Sequence, residues 1–493
     1  MTSHFGEIAT LALYYGILGL LAAYGAHRVL IVSLYYRHRS AAPRRGDALD
    51  PPPRVTVQLP IFNEVYVVER LIAAAAALDY PKDRLEIQIL DDSTDDTRDI
   101  ARETARRLAA RGHDVAHLSR ARRDGFKAGA LQAGLEHARG EYLAIFDADF
   151  VPAPDFLRRA LPHFADPGVG LVQARWDHLN RDFSLLTRIQ SILLDGHFVI
   201  EHTARHRSGR FFNFNGTAGI WRRRCIEEAG GWQSDTLTED LDVSYRAQLA
   251  GWRFVYLPDL AVPAELPVDV NGFKTQQHRW AKGSIQTGRK LLPEILRSAH
   301  PWKVKAEALV HLTGNFSHVL VVLLALLLVP AILIRERIGW QRLIALDFPL
   351  FFGATFSFAA FYVASQREIG RGWTRTLSAM PFLMSLGIGL SLNNARAVLE
   401  GLFSSAGDFA RTPKYRIEGS AGHWRDKKYR PRRDAFVAAE AFLAAWFLFA
   451  TVFAAKERYW TALPFLLIFL NGFAYAAGLS LWSRSRAGPA PGK

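Results

Sequence analysis

The strongest constraint on this chain is the placing of its apolar runs: one before, and four after, a long polar block. "IATLALYYGILGLLAAYGA" at residues 8–26 carries no charge, and its length matches the roughly 20 residues that a membrane helix needs. Residues 308–334, 348–365, 435–455 and 460–482 repeat the pattern. The bland alternative for each is a buried core helix, weakest for 308–334 and strongest for the short run 348–365. The first run lacks a basic leader and a small-residue cleavage site, so an anchor is expected and not a signal peptide. The chain carries 61 Lys and Arg against 47 Asp and Glu, a net charge of +14. Such a balance suits nucleic acid or an anionic membrane surface, and the apolar runs select the membrane. No nucleic-acid partner is expected. The single cysteine, Cys225, excludes an intrachain disulfide and a cysteine-rich metal site.

Arg28, Arg37, Arg39, Arg44 and Arg45 follow the first run, which places that side, and residues 50–300 with it, in the cytoplasm. A sixth run, 376–392, is broken by Pro381, Gly387 and Gly389. If it spanned, residues 393–434 would cross with ten Lys/Arg against five Asp/Glu, against the positive-inside rule. Residues 376–403 are therefore read as a helix lying in, or re-entering, the interface. Five spans also leave the tail "RSRAGPAPGK" inside. A bacterial inner membrane is expected from the Arg- and Ala-rich composition, with a Golgi membrane as the alternative.

The polar block alternates strand and helix. "RVTVQLPIFNE" and "RLEIQILDDSTDD" read as strands, with the helical "VYVVERLIAAAAALDYP" between them. "TDDTRDIARETARRLAARG" follows as a helix, Thr94 its expected N-cap and Gly112 its stop. "DGFKAGALQAGLEHARG" is a further helix and "EYLAIFDADF" a further strand. This order means an α/β domain with a parallel, doubly wound sheet, whose ligands sit beyond the carboxyl ends of the strands. Three strands end in acids or amides there: Asn63–Glu64, Asp91–Asp92, and Asp147 with Asp149. One such end is common, since Asp caps helices; several on one edge indicate a shared site.

Strand alternation points Asp147 and Asp149 the same way, so both stay ionised only beside a cation or donors. A hard divalent ion such as Mg²⁺ takes carboxylates and completes its shell with phosphates. Lys127, at a neighbouring helix start, adds a built-in cation. Together these describe a nucleotide-diphosphate pocket. No Gly-x-x-x-x-Gly-Lys-Ser/Thr loop is present, which excludes a P-loop NTPase, and no Gly-x-Gly-x-x-Gly follows the first strand. "TLTEDLDVSYRAQLAGW" opens a helix with Thr238, Glu239, Asp240 and Asp242; plain capping explains one acid better than three. A carboxylate there is a natural general base for a hydroxyl. In "QQHRWAKGSIQTGRK", Gln276, Arg279 and Trp280 share one helix face, fit to clamp phosphate and stack a sugar ring. An amphipathic membrane-surface helix with a Trp anchor explains that segment equally well.

Asp91–Asp92, Asp147-Ala-Asp149, Thr238-Glu-Asp240 and Gln276-x-x-Arg279-Trp280, in this order between membrane helices, resemble the signature of processive, inverting family 2 glycosyltransferases such as cellulose, hyaluronan and chitin synthases. "QLPIFNE", "ILDDSTDDT", "VQARWDHLN", "FNGTAGIWR" and "RTPKY" are similar to plant-type cellulose-synthase-like mannan and glucomannan synthases and their glucan-synthase relatives. The resemblance covers residues 50–300 well and the membrane part more loosely. It implies a GT-A (Rossmann-like) catalytic domain at 50–300, ending in an interfacial Gln-x-x-Arg-Trp helix. Around it would lie an N-terminal membrane helix (1–36), two membrane helices (308–366), an interfacial helix with a basic gating-type loop (376–434), two more membrane helices (435–483) and a flexible tail (484–493). It further implies that Asp91 or Asp92 contacts the base or ribose, and that Asp147 and Asp149 hold Mg²⁺ or Mn²⁺ with the donor diphosphate. Asp240, with Glu239 and Thr238, would be the catalytic base motif, and Lys127 and Arg279 would steady the leaving diphosphate. Trp280 and Gln276, with Asn215, Gly216 and Thr217, would face the acceptor. Residues 409–415 resemble the gating loop of cellulose synthases, though the motif differs. The cyclic-di-nucleotide-binding tail of those enzymes has no counterpart here.

The expected activity is β-linked transfer of a hexose from a nucleotide sugar to a growing polysaccharide, with inversion. GDP-mannose making β-1,4-mannan or glucomannan is preferred, and UDP-glucose making β-glucan is the alternative donor. A ceramide-type single-sugar transferase and a catalytically dead channel or scaffold are the other readings. His311, Asn315 and His318 in the second span, with Glu440 and Asn471 in the last two, either line a polymer path or bond helix to helix. Trp446 either stacks sugar or faces lipid.

Overall fold

The computed structural model describes residues 2–404, 410–429 and 436–485. Phe409, residues 430–434 of the basic loop and the tail from residue 486 lie outside the described residues. Among the described residues, seven strands form one sheet: β1 (Val55–Ile61), β2 (Leu85–Asp91), β3 (Asp114–Leu118), β4 (Tyr142–Ile145), β5 (Val169–His178), β6 (Gly219–Arg222) and β7 (Arg253–Ala264). Their spatial order is β3-β2-β1-β4-β6-β5-β7. β1, β2 and β4 are buried along almost their whole length, as expected of strands covered by helices on both faces. Two apolar clusters make those faces: Val55, Val57 and Leu59 on one, Leu143 and Ile145 on the other.

The expected wholly parallel sheet needs one correction. β6 runs antiparallel to both β4 and β5, while β1–β2, β2–β3, β1–β4 and β5–β7 are parallel. The loop "NFNGTA" delivers the chain to the carboxyl edge of β4, so the strand that follows starts at that edge and runs back. Ile61 pairs with Asp91 and Gln58 with Ile145, so the ends of β1, β2 and β4 share one edge. Thr94 is not the helix cap: the next helix is Thr97–Ala109, and Asp95 accepts the Thr97 N–H at 3.0 Å.

Among the described residues, five helices are long and apolar enough to cross a membrane: Phe5–His38, Phe316–Arg337, Ala345–Glu368, Val437–Lys456 and Trp460–Ser483. A sixth span arises only if Trp373–Gly389 and Ser391–Phe403, bent by 41° at their junction, act as one. The break follows Gly387 and Gly389. The run 308–334 is split, because helix Trp302–Thr313 ends before the span begins. His311 is therefore outside the span, where it bonds the Tyr245 hydroxyl at 2.8 Å.

His318, Asn471 and Glu440 bond helix to helix, while Asn315 stands at the N-terminus of Phe316–Arg337. His318 meets Asn394 at 3.1 Å, and Asn471 donates to Ser385 at 2.6 Å. Glu440, fully buried, pairs with Lys274 at 2.5 Å, and Ser480 accepts from the same ammonium at 2.9 Å. Trp446 lies more than a third exposed, tilted against Phe449. Lys274 belongs to the long helix Val270–Arg297, so this ion pair ties that helix to the last two apolar helices. Removing one partner of such a pair costs about 3–5 kcal/mol, whereas an apolar replacement of both is nearly neutral. Glu440→Ala should lower the thermal midpoint of the detergent-solubilised protein, and Lys274→Met with Glu440→Leu should recover most of the loss; the check is a melting series of the native protein and these two variants.

Candidate active site

The acidic ends of β1, β2 and β4 open into one cleft, closed on its other sides by the helices Glu239–Leu249 and Val270–Arg297 and by residues 410–417. β4 ends at Ile145, so Asp147 and Asp149 lie in the turn beyond it, with Phe150 N–H donated to the Asp147 carbonyl at 3.0 Å. Each meets a lysine of its own. Asp147 meets the Lys127 ammonium at 2.6 Å, and Asp149 meets Lys414 at 2.7 Å. The strand-alternation argument therefore missed the turn, although it brought both acids to the right cleft.

Lys127 comes from the first turn of helix Phe126–His137. Its ammonium also donates to the Gly216 carbonyl at 2.8 Å and lies 3.8 Å from Glu239. Burial alone would lower its pKa; Asp147, Glu239 and Asp240 hold it above the ordinary lysine value. Thr217 accepts the Asp147 N–H at 2.9 Å, so the "NGT" loop fixes both the acid and its lysine. Gly216 sits at φ +80°, and a Cβ there would lie 3.1 Å from Asp240 Oδ2 and 3.2 Å from Lys127 Nζ.

Thr238 is not a side-chain cap. Its hydroxyl lies 3.3 Å from that of Thr287, and the Leu237 N–H is donated to Gln286 at 2.9 Å, so helix Val270–Arg297 pins this turn. Of the acids that follow, Asp242 is buried against Arg246 and Lys290, at 2.6 and 2.9 Å, and has a structural role. Glu239 and Asp240 face the cleft. Asp240 Oδ1 accepts the Leu241 N–H at 2.9 Å. Burial, then the neighbouring Glu239, pushes the Asp240 carboxyl up to about 7 against the pull of Lys127, which suits a proton acceptor near neutrality.

Gln276, Arg279 and Trp280 line the cleft, and residues 281–288 of the same helix are buried against the rest of the protein. Burial lowers the Arg279 guanidinium, opposed by Glu239, Asp147, Asp240 and Asp149 in turn. Trp280 lies 6.4 Å from Trp176, which stacks on Phe198 at 4.9 Å. Asn215 and Gly216 line the cleft, while Thr217 works through Asp147. The two acids at the end of β2 part ways. Asp91 is buried on His117 at 2.9 Å and on the Ser93 N–H at 2.8 Å, and Asp92 lines the cleft, gripped by Arg120 at 3.0 Å. Of the two, Asp92 alone is among the residues that line the cleft.

Several cleft contacts had no place in the sequence reading, which marked Glu64 as an acidic strand end and residues 409–415 as a gating-type loop. Glu64, pushed up to about 8 by burial against the opposing Arg411, pairs with that arginine at 3.0 Å. Glu265 accepts the Tyr415 and Arg416 N–H groups at 2.8 Å each, and its carbonyl accepts from Lys414 at 2.9 Å. Arg123 lies over the Phe62 ring at 3.4 Å. Only the basic "RTPKY" flavour hinted at any of this; Glu265 carries no local signal. Among the described residues no cluster of three or more His, Cys, Asp or Glu fits a metal. Asp147 and Asp149 are a two-carboxylate set, which fits an ion that completes its shell with phosphate oxygens.

Residues 52–283 match the family model "Glycosyltransferase like family 2". Glucomannan 4-beta-mannosyltransferase 2 of Arabidopsis thaliana is 48% identical over 251 residues, 50% of this chain and 47% of that protein. Glucomannan 4-beta-mannosyltransferase 1 of Oryza sativa subsp. japonica is 45% identical over 269 residues, 54% of this chain and 51% of that protein. Glucomannan 4-beta-mannosyltransferase 7 of Arabidopsis thaliana is 33% identical over 418 residues, 81% of this chain and 72% of that protein. The chain belongs to glycosyltransferase family 2, alongside the glucomannan 4-beta-mannosyltransferases. The chain spans about half the length of the first two of these relatives. A mannosyltransferase of Pyrobaculum calidifontis, solved in complex with GDP-Man and Mn²⁺, superposes with a TM-score of 0.53 at 24% identity, over 73% of this chain and 98% of that one. That likeness fixes the GT-A fold.

A methyl group at Gly216 strains the loop and pushes on Asp240 and Lys127 together. Gly216→Ala should cut sugar transfer by about 10²-fold, the loss expected of a small misplacement of reacting groups. Gly230→Ala, at φ +84° but beside Gln233 and Arg246 only, should cost stability and not rate; kcat and melting temperature of the two variants check this.

Proposed function

We propose that this family 2 enzyme is a membrane-embedded, inverting hexosyltransferase that extends a β-linked polysaccharide, with GDP-mannose as donor and β-1,4-mannan or glucomannan as product. The observation that carries it is Asp240, a half-buried carboxylate facing the same cleft as Asp147, Asp149 and Lys127. The relatives' being glucomannan 4-beta-mannosyltransferases supports the choice of mannose. The five membrane-competent helices support attachment to a bilayer, and the arginines after the first helix favour a cytoplasmic cleft.

Asp147 and Asp149 are the residues that would hold Mg²⁺ or Mn²⁺ with the donor diphosphate, and such an ion, when bound, offsets charge that grows on the leaving group. Lys127, Arg279 and Lys414 surround the same place with fixed positive charge, stabilising the departing diphosphate without reorganisation. Asp240 takes the proton from the acceptor hydroxyl, whose oxygen attacks the anomeric carbon from the face opposite the diphosphate. The carbon–phosphate-oxygen bond breaks as the new glycosidic bond forms, turning an α-linked donor into a β-linked product. Trp280, with Trp176 beside it, offers a flat aromatic wall for the acceptor sugar. The membrane helices give a hydroxyl-rich polymer a route past ~30 Å of hydrocarbon.

The test is nucleotide-diphosphate release by purified protein with Mg²⁺ or Mn²⁺, offered GDP-mannose, UDP-glucose or both, followed by digestion with β-mannanase and β-glucanase. GDP release with a mannanase-sensitive polymer is expected. UDP release with a glucanase-sensitive polymer would overturn the donor, and a single-sugar lipid product would overturn the polymer. Asp240→Asn should lose about 10²–10⁴-fold in transfer while still binding donor.

A further inference from the structure

Residues Gly196–His202 form a π-helical turn between two α-helical stretches. Such turns occur mostly as single insertions and often at functional sites. In an α-helix, residues 197 and 202 would lie about 140° apart around the axis. The i→i+5 pattern, with about 4.4 residues per turn, brings positions 197, 201 and 202 to one face. All three carry polar side chains: His197, Glu201 and His202.

They converge on Asn215, in the cleft wall. Asn215 Nδ2 lies 3.0 Å from His197 Nε2, and His197 Nδ1 lies 2.8 Å from Glu201. Asn215 Oδ1 lies 2.5 Å from His202 Nε2. With both imidazoles neutral, hydrogen-bond logic allows one assignment. The amide nitrogen only donates, so His197 accepts at Nε2 and carries its proton on Nδ1, facing the Glu201 carboxylate. The amide oxygen only accepts, so His202 donates from Nε2. Flipping the amide would move the His197 proton to Nε2 and set a bare Nδ1 lone pair against a carboxylate.

Glu201 can enforce this because it stays charged. Burial would raise its pKa, but Arg205, at 3.4 Å, and His197 hold it well below the ordinary carboxylate range. Burial keeps His202 neutral. The loop so fixed reaches the chemistry at its next two residues: the Gly216 carbonyl holds Lys127, and the Thr217 hydroxyl holds the Asp147 N–H. Within the amide, one N–H and one oxygen lone pair are left for a ligand.

We infer that His197, Glu201 and His202 are positioning residues that lock the Asn215 amide in one orientation, so that it pairs with hydroxyls of the acceptor sugar and sets which hydroxyl faces Asp240. The inference rests on the reading of this cleft as a hexosyltransferase site. Lys127, Asp147 and Asp149 serve the donor; the π turn serves the acceptor.

The experiment measures acceptor KM, donor KM and the ratio of sugar transferred to donor hydrolysed, with β-1,4-linked manno-oligosaccharides as acceptor. Wild-type protein is run first, also with gluco-oligosaccharides and a lipid acceptor. Use of another acceptor would overturn the mannan reading alone, and the variants are then measured on the acceptor used. His197→Ala and Asn215→Ala should each raise acceptor KM about tenfold and lower the transfer-to-hydrolysis ratio by a similar factor. The double variant should be about tenfold impaired as well, since both changes act through one amide. Effects that multiply to about a hundredfold, or a donor KM that rises in step with acceptor KM, would overturn the inference. Glu201→Gln keeps size but no longer dictates the His197 tautomer. It should shift the same ratio even if His197→Ala does not fold, and an unchanged ratio would overturn the lock.

Discussion

The ammonium of Lys127 is the contact on which the rest of the cleft depends. Asp147, Glu239 and Asp240 all approach it, and the Gly216 carbonyl anchors it from the loop side. Two charges about 4 Å apart interact by about 4 kcal/mol at the effective dielectric of such a site. Without the lysine, that repulsion would drive protons onto the acids or prise the turn and the helix apart. With it, Asp147 is held beside a cation while Asp240, further out and next to Glu239, is left with a raised proton affinity. One cation therefore separates the jobs of two acids: one suited to a donor's phosphates, the other to a proton.

A second set of charges ties this centre to the rest of the chain. Residues 410–417 follow the bent helix pair, yet they return to the cleft. Arg411 meets Glu64, Lys414 meets Asp149, and Glu265 accepts two backbone N–H groups of the same segment. Lys274 with Glu440 makes the matching tie on the other side. The catalytic sheet and the apolar helices thus share buried ion pairs, each costly to break singly.

Much of this was legible in the sequence, for reasons that differ from residue to residue. The strand ends and Lys127 were readable because parallel strands put their carboxyl ends on one edge, whatever the details of packing. The break after Gly389 followed from its glycines and a charge argument. Asp91 could not be told from Asp92, because one residue of register decides which faces His117 and which the cleft. The antiparallel β6 and the lysine pairing of Asp149 come from contacts far apart in sequence. Glu265 is one glutamate among many until Tyr415 and Arg416 arrive. The π turn is hidden for a different reason: a pattern search at 3.6 residues per turn scatters His197 and His202 to different faces.

The account turns on Asp240 as a base tuned by burial. kcat/KM for the acceptor, followed from pH 5 to 9 at saturating donor, measures this directly. A base with its pKa near 7 is protonated below that value, so the rate should fall about tenfold per unit below pH 7 and level off above it. Asp240→Asn should abolish the acid limb along with most of the rate. A profile flat down to pH 5, with its fall near the ordinary carboxylate value of about 4, would contradict a half-buried, acid-crowded base and move the proton acceptor elsewhere in the cleft.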